Sequence, residues 1–130
     1  MSRFTKTDGL FRLVLLKERP ELCEHCRKND GRMVYVAHIL PKGAYPRLRY
    51  QRSNVLMLCF WCHNHWAHKN PLEFNEWVEI YKGRDLLNSL RTLERSLDKV
   101  DLKMVAICLK RDLEDATGAQ YPLNRTKRAI

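Results

Sequence analysis

Residues 23–63 read CEHCRKNDGRMVYVAHILPKGAYPRLRYQRSNVLMLCFWCH, and this stretch decides the fold. It opens on Cys23-x-x-Cys26 and closes on Cys59-x-x-Cys62, with 32 residues between the pairs. Two residues between cysteines let both thiolates of a turn point at one ion, and two such knuckles complete a tetrahedral shell suited to zinc. Four thiolates fill that shell, so the ion is expected to be structural and any catalysis must come from elsewhere. Such a site contributes ~10–16 kcal/mol of apparent binding free energy to folding. Cys108 stands apart on an apolar helical stretch and reads as a buried thiol.

Between the knuckles, Asn29-Asp30-Gly31 reads as a turn, and Met33 to Leu40 as a strand that stops at Pro41. Lys42 to Arg52 reads as a loop or hairpin broken by Gly43 and Pro46, and Val55 to Leu58 as a second strand. A helix is expected to begin at the second knuckle. Upstream, Lys6 to Lys17 reads as a helix that Asp8 could cap, with Phe11, Val14 and Leu15 on one face. Downstream, Pro71 to Tyr81 reads as a helix with Phe74, Trp77 and Val78 inward. Leu86, Leu90, Leu93, Leu97, Val100 and Met104 then recur at heptad spacing, as one long helix or as two with Asp101 capping the second, Leu102 to Asp115. Trp61 and Trp66 read as core residues.

The chain has 130 residues and a net charge of +9, unevenly spread. Residues 1–70 carry 13 Lys and Arg against 5 Asp and Glu, whereas residues 71–130 are nearly balanced at 11 against 10. Between Gly31 and Leu72 there is no acidic residue, but Arg32, Lys42, Arg47, Arg49, Arg52 and Lys69 are all present. A stretch of one sign is the footprint of a polyanion partner, here a nucleic acid, and Lys42, Arg47, Arg49 and Arg52 are the expected phosphate contacts. There is no run approaching a membrane span and no targeting signal, so a soluble, cytoplasmic protein without a membrane partner is expected.

His38 ends the first strand, Asn54 precedes the second, and His63 follows the second knuckle. This order, inside a four-cysteine frame, resembles the HNH (ββα-metal) endonuclease family. The run Ala37-His38-Ile39-Leu40-Pro41-Lys42-Gly43-Ala44-Tyr45-Pro46-Arg47-Leu48-Arg49-Tyr50 is most similar to the phage recombination nucleases of the lambda NinG (Rap) type. The resemblance implies an α+β fold, a zinc-braced, treble-clef-like ββα-metal core with an N-terminal helix and a C-terminal helical extension. It implies hydrolysis of phosphodiester bonds in duplex or branched DNA with a catalytic divalent cation, Mg²⁺ or Mn²⁺. His38 would be the general base, Asn54 would hold His38 or cap the hairpin loop, and His63 would bind the cation. His68, five residues on and ~140° round an α-helix, is a second candidate ligand on geometry alone. Ala37 stands where many members carry an Asp or His ligand, so another group coordinates, or the site is weak or inactive.

The expected organisation is a nuclease domain over residues 1–80, a helical extension over 81–118 that dimerises or packs on its own domain, and a basic flexible tail over 119–130. The competing reading is a non-catalytic, zinc-dependent DNA-binding protein, which explains the charge and the cysteines but not the joint occurrence of His38, Asn54 and His63.

Overall fold

The computed structural model describes residues 2–28 and 31–117, the last two as backbone only. Asn29 and Asp30 of the expected turn, and the 119–130 tail, lie outside the described residues. The architecture is α+β, with two compact units. One is Glu21–Val100; the other joins Met1–Pro20 to the segment from Asp101 onward. That partition differs from a division at residue 80, because the first helix clusters with the last rather than with the sheet.

In the unit Glu21–Val100, β1 (Val34–His38) and β2 (Val55–Cys59) pair antiparallel, with Val34 opposite Cys59 and His38 opposite Val55. The register sets the two ends of the hairpin to different uses. Cys59 lies at one end and His38 at the other. All five residues of β2 are buried, which is why it reads as an unbroken apolar run rather than an alternating one. β1 is shorter than the Met33–Leu40 expectation because the ladder stops being backbone to backbone. Ile39 N–H still donates to Asn54 O at 2.7 Å, but Leu40 turns to the Asn54 side chain.

Asn54 is fully buried and closes the loop between the strands. Its Oδ1 accepts from Leu40 N–H at 2.9 Å, and its Nδ2 donates to Leu40 O at 3.1 Å and Leu48 O at 3.3 Å. These bonds satisfy backbone groups that the chain reversal removes from the ladder. Of its two sequence-derived roles, the structure shows loop capping, since its amide bonds go to Leu40 and Leu48 and none to His38.

Past β2, a π-helical turn (Trp61–Ala67) leads to α2 (Pro71–Lys82) and α3 (Arg84–Ser96). Pro71 starts α2 with its fixed φ, and Phe74 and Val78, four apart, bury its inner face. Gly83 separates α2 from α3 at φ 96 and ψ 149, a conformation open essentially to glycine alone. α3 packs on the Pro46–Leu48 turn and on α2, with Leu48 and Leu90 buried.

In the other unit, α1 (Thr5–Glu18) packs on α4 (Leu102–Thr117). Phe11, Val14 and Leu15 are buried, as the periodicity implies. Phe4, not Asp8, occupies the N-cap of α1, and Asp8 lies in its first turn. Asp101 caps α4, its Oδ1 accepting from Lys103 N–H at 3.1 Å and Met104 N–H at 3.2 Å. The heptad seam is therefore not one helix. Leu97 is extended, and the six residues divide between units, with Leu90 buried but Met104 55% exposed. No helix among the described residues is long and apolar enough to cross a membrane.

Asn54→Ala should destabilise the chain by about 2–4 kcal/mol, because it leaves the buried Leu40 N–H without its acceptor and removes three bonds at once. Urea unfolding measures this; a change within about 0.5 kcal/mol would show that the loop closes without it.

Candidate metal centre and histidine cluster

The sulfurs of Cys23, Cys26, Cys59 and Cys62 all lie within 4.8 Å of one another. A tetrahedron with bonds of ~2.3 Å has edges of ~3.8 Å, and the Cys26–Cys59 sulfur separation is 4.0 Å. The four could hold a structural metal ion such as zinc. Their turns are built for it. Cys26 N–H points at Cys23 Sγ at 3.5 Å, and Arg27 takes φ 62 so that its N–H reaches Cys23 O at 2.9 Å. Glu24 ties this knuckle to β2. Its N–H donates to Met57 O at 2.8 Å, and its Oε2 accepts from Met57 N–H at 2.7 Å.

Burial pushes the Cys62 and Cys26 thiols above the usual thiol range. Burial opposes ionisation of Cys59 too, but hydrogen bonding from Cys62 and from the Arg32 guanidinium outweighs it and brings this thiol down to about 7. Four sulfurs so crowded ionise together only around a cation. His25, which cysteine spacing alone does not single out, lies against these sulfurs. Its Nδ1 lies 3.4 Å from Cys62 Sγ, and its ring stacks on Trp66 with centroids 3.5 Å apart. Burial lowers its pKa, partly offset by Glu73, whose Oε2 accepts from Trp66 Nε1 at 2.9 Å. A histidine inside a CxxC knuckle, followed by tryptophans at 66 and 77, was the available signal.

The second cluster lies at the far end of the hairpin. His38 Nε2 is 2.9 Å from Arg49 O. A carbonyl only accepts, so Nε2 carries the hydrogen and, in the neutral ring, Nδ1 keeps the lone pair. His63 and His68 are neighbours, with ring centroids 4.4 Å apart. An α-helix would set them ~140° apart; the π-turn corrects that figure. His68 N–H bonds to His63 O at 3.2 Å, five residues back, so each stands over the other on one face. Burial, then the neighbouring His68, His38 and Lys42, push the His63 pKa down to about 4, leaving it neutral with a lone pair to offer. His65 turns to the other side, stacked on Trp61 at 4.6 Å.

A cleft of about 850 Å³ is lined by His38, His63 and His68, together with Lys42, Glu76 and Arg91. Ala37 borders it and is 4% exposed, contributing only a methyl group where the resemblance implies a ligand. Among the described residues, the four cysteines are the one group of three or more donors close enough to enclose an ion.

The basic candidates separate. Lys42 is exposed on the cleft rim. Arg47 is engaged with α3, its N–H donating to Glu94 Oε1 at 3.1 Å and its Nη1 lying 3.6 Å from Glu94 Oε2. Arg49 gives its carbonyl to His38 and sets its guanidinium 5.9 Å from the Tyr50 ring centre; Arg52 is half-buried in the turn before Asn54. Trp66 is core at 8% exposure, but Trp61 is 61% exposed, against the expectation for both. Cys108 is half-buried, with Arg111 Nη2 3.8 Å from its sulfur.

Cys59→Ser should lower bound metal from one ion per chain to none and unfold the unit Glu21–Val100, because binding and folding are coupled. Elemental analysis beside circular dichroism reads both; a folded variant without metal would show that the apolar core suffices.

No family model, no curated protein and no solved structure matches the chain.

Proposed function

We propose that the chain is a metal-dependent DNA endonuclease of the HNH (ββα-metal) type, with structural zinc on the four cysteines, and that it acts on branched or recombination-intermediate DNA. The observation that carries this reading is the pairing of His63 with His68 at 4.4 Å beside His38, whose Nε2 is anchored on Arg49 O at 2.9 Å. A surface histidine has no need of a fixed tautomer, whereas a general base does.

His38 takes the proton of the attacking water at Nδ1. The water oxygen bonds to phosphorus as the bond to the leaving oxygen breaks, and the leaving oxygen takes its proton from solvent. The Nε2–H···O bond to Arg49 keeps the ring aimed and stabilises the imidazolium as it forms. His63 and His68 would hold a divalent cation, Mg²⁺ or Mn²⁺, which supplies charge neutralisation on the phosphate and the leaving oxygen. With Ala37 contributing no ligand, water and phosphate oxygens would have to supply the remaining ligands. Asn54 acts at one remove. It fixes Leu48 O, and the next residue is Arg49, whose carbonyl aims His38.

One observation favours a non-catalytic zinc-dependent DNA-binding protein instead: the missing carboxylate at position 37, with only two histidines in close contact. Supercoiled and branched DNA incubated with Mg²⁺ or Mn²⁺, and then with EDTA, separates the two. His38→Ala should lower cleavage by about 10²–10⁴-fold with zinc content and DNA affinity retained. His63→Ala and His68→Ala should also lose activity but recover part of it at raised metal concentration, which His38→Ala should not. Wild-type protein that binds both DNAs and cuts neither with any divalent cation establishes the binding-protein reading.

Affinity should fall with salt along a slope of about −0.9 per neutralised phosphate. Lys42→Ala should flatten that slope by about one unit, and Arg47→Ala by less, because Glu94 already holds its guanidinium. Equal effects in a salt titration by fluorescence anisotropy would mean that Arg47 leaves Glu94 for DNA.

A further inference from the structure

Four aromatic rings form a continuous surface on the side of the π-turn that His65 faces. Tyr35 meets Phe60 edge-on with centroids 6.2 Å apart, Phe60 meets His65 at 5.7 Å, and His65 stacks on Trp61 at 4.6 Å and 21°. Phe60 is 56% exposed and Trp61 61%, and Met33 beside Tyr35 is 55% exposed. On the other side of Tyr35, its ring lies parallel to that of His63 at 6.2 Å and 6°. The surface thus runs from the histidine cluster outward.

Large rings left in water are costly, and a row of them marks a binding surface. Its charge indicates what binds. Every one of these residues falls inside the acid-free stretch from Gly31 to Leu72, with Arg32 adjacent to Met33 in the chain. An aliphatic protein partner would find rings but few aliphatic side chains, and a second copy would bring the same positive charge against itself. A ligand that is both flat and anionic suits rings carried on a stretch of chain with basic residues and no acidic ones, and a nucleobase on its phosphate backbone is such a ligand. Bases in a duplex hide their faces in the stack. Only an unpaired base can lie on Trp61 or Phe60.

We propose that Phe60 and Trp61, backed by Tyr35 and His65, are a stacking platform for unpaired nucleobases, which directs the chain to the single-stranded segments of branched DNA. This rests on the nuclease reading for its biological purpose, but it makes its own prediction about binding.

The test uses the full chain with its metal, a labelled oligothymidylate of about twelve nucleotides, and a blunt duplex of equal length. Wild-type protein should bind the oligothymidylate with quenching of tryptophan emission. Trp61 should account for that quenching, because Trp66 is buried and Trp77 is packed against Trp66 and Tyr81, and Trp61→Phe should remove it. Trp61→Ala and Phe60→Ala should each weaken oligothymidylate binding about tenfold, change duplex affinity less than about twofold, and keep one metal ion per chain. Trp61→Phe should recover most of the loss. Equal losses on both DNAs, no loss on either, or a change in self-association in place of DNA affinity would overturn the platform while leaving the nuclease reading standing. Wild-type protein that binds neither DNA would overturn both.

Discussion

Four sulfurs within 4.8 Å of one another are the constraint on which the unit Glu21–Val100 depends. They join the start of the hairpin stretch to its end. Cys59 is the last residue of β2, opposite Val34 at the start of β1, so the ion site and the sheet register are one constraint rather than two. Glu24 repeats the link through Met57, and His25 repeats it through Cys62 and Trp66. A two-stranded sheet alone is marginal in water. Here four cysteines that could share a metal ion bracket the strands, and Asn54 closes the chain reversal. The four sulfurs thus lie at one end of the hairpin, and His38, bonded through Nε2 to Arg49 O, lies at the other.

The same constraint sets the histidine pair. Cys62 belongs to the tetrahedron, and Trp66 is held by the His25 ring and by Glu73. The backbone from Trp61 to Ala67 is wound as a π-turn, which brings the His63 and His68 rings together at a 56° tilt, while His65 stacks on Trp61. A π-turn is a costly geometry that persists where surrounding contacts hold it, and it is frequent at functional sites. One short segment then presents two chemistries, lone pairs on one side and flat rings on the other.

Much of this could be read in the sequence, for physical reasons. Ligand spacing is local, so Cys23, Cys26, Cys59 and Cys62 were legible at once. β2 was legible as an apolar run, and α2 from Pro71, Phe74 and Val78. The capping of α4 by Asp101 was also local. What escaped were features set by neighbours distant in sequence. The face shared by His63 and His68 depends on hydrogen bonds that no side-chain pattern records, so α-helical arithmetic placed them apart. Trp61 read as core because tryptophan usually is, but the knuckle holds its backbone at the surface. The contact of Arg47 with Glu94, 47 residues away, is likewise not visible from the loop. The heptad spacing left one helix or two open; Leu97 ends α3, and of the six positions Met104 alone falls in the other unit.

In the proposed nuclease, a closed thiolate shell would fold the chain and an open histidine pair, His63 and His68, would serve its chemistry. Crystals of the full chain soaked in Mn²⁺ test this directly through anomalous scattering at the zinc and manganese edges. The account predicts a zinc peak among the four cysteine sulfurs and a separate manganese peak touching both His63 and His68, within the cleft that His38 lines. A zinc peak alone, with no manganese at the histidines even when a DNA phosphate lies in the cleft, would contradict it.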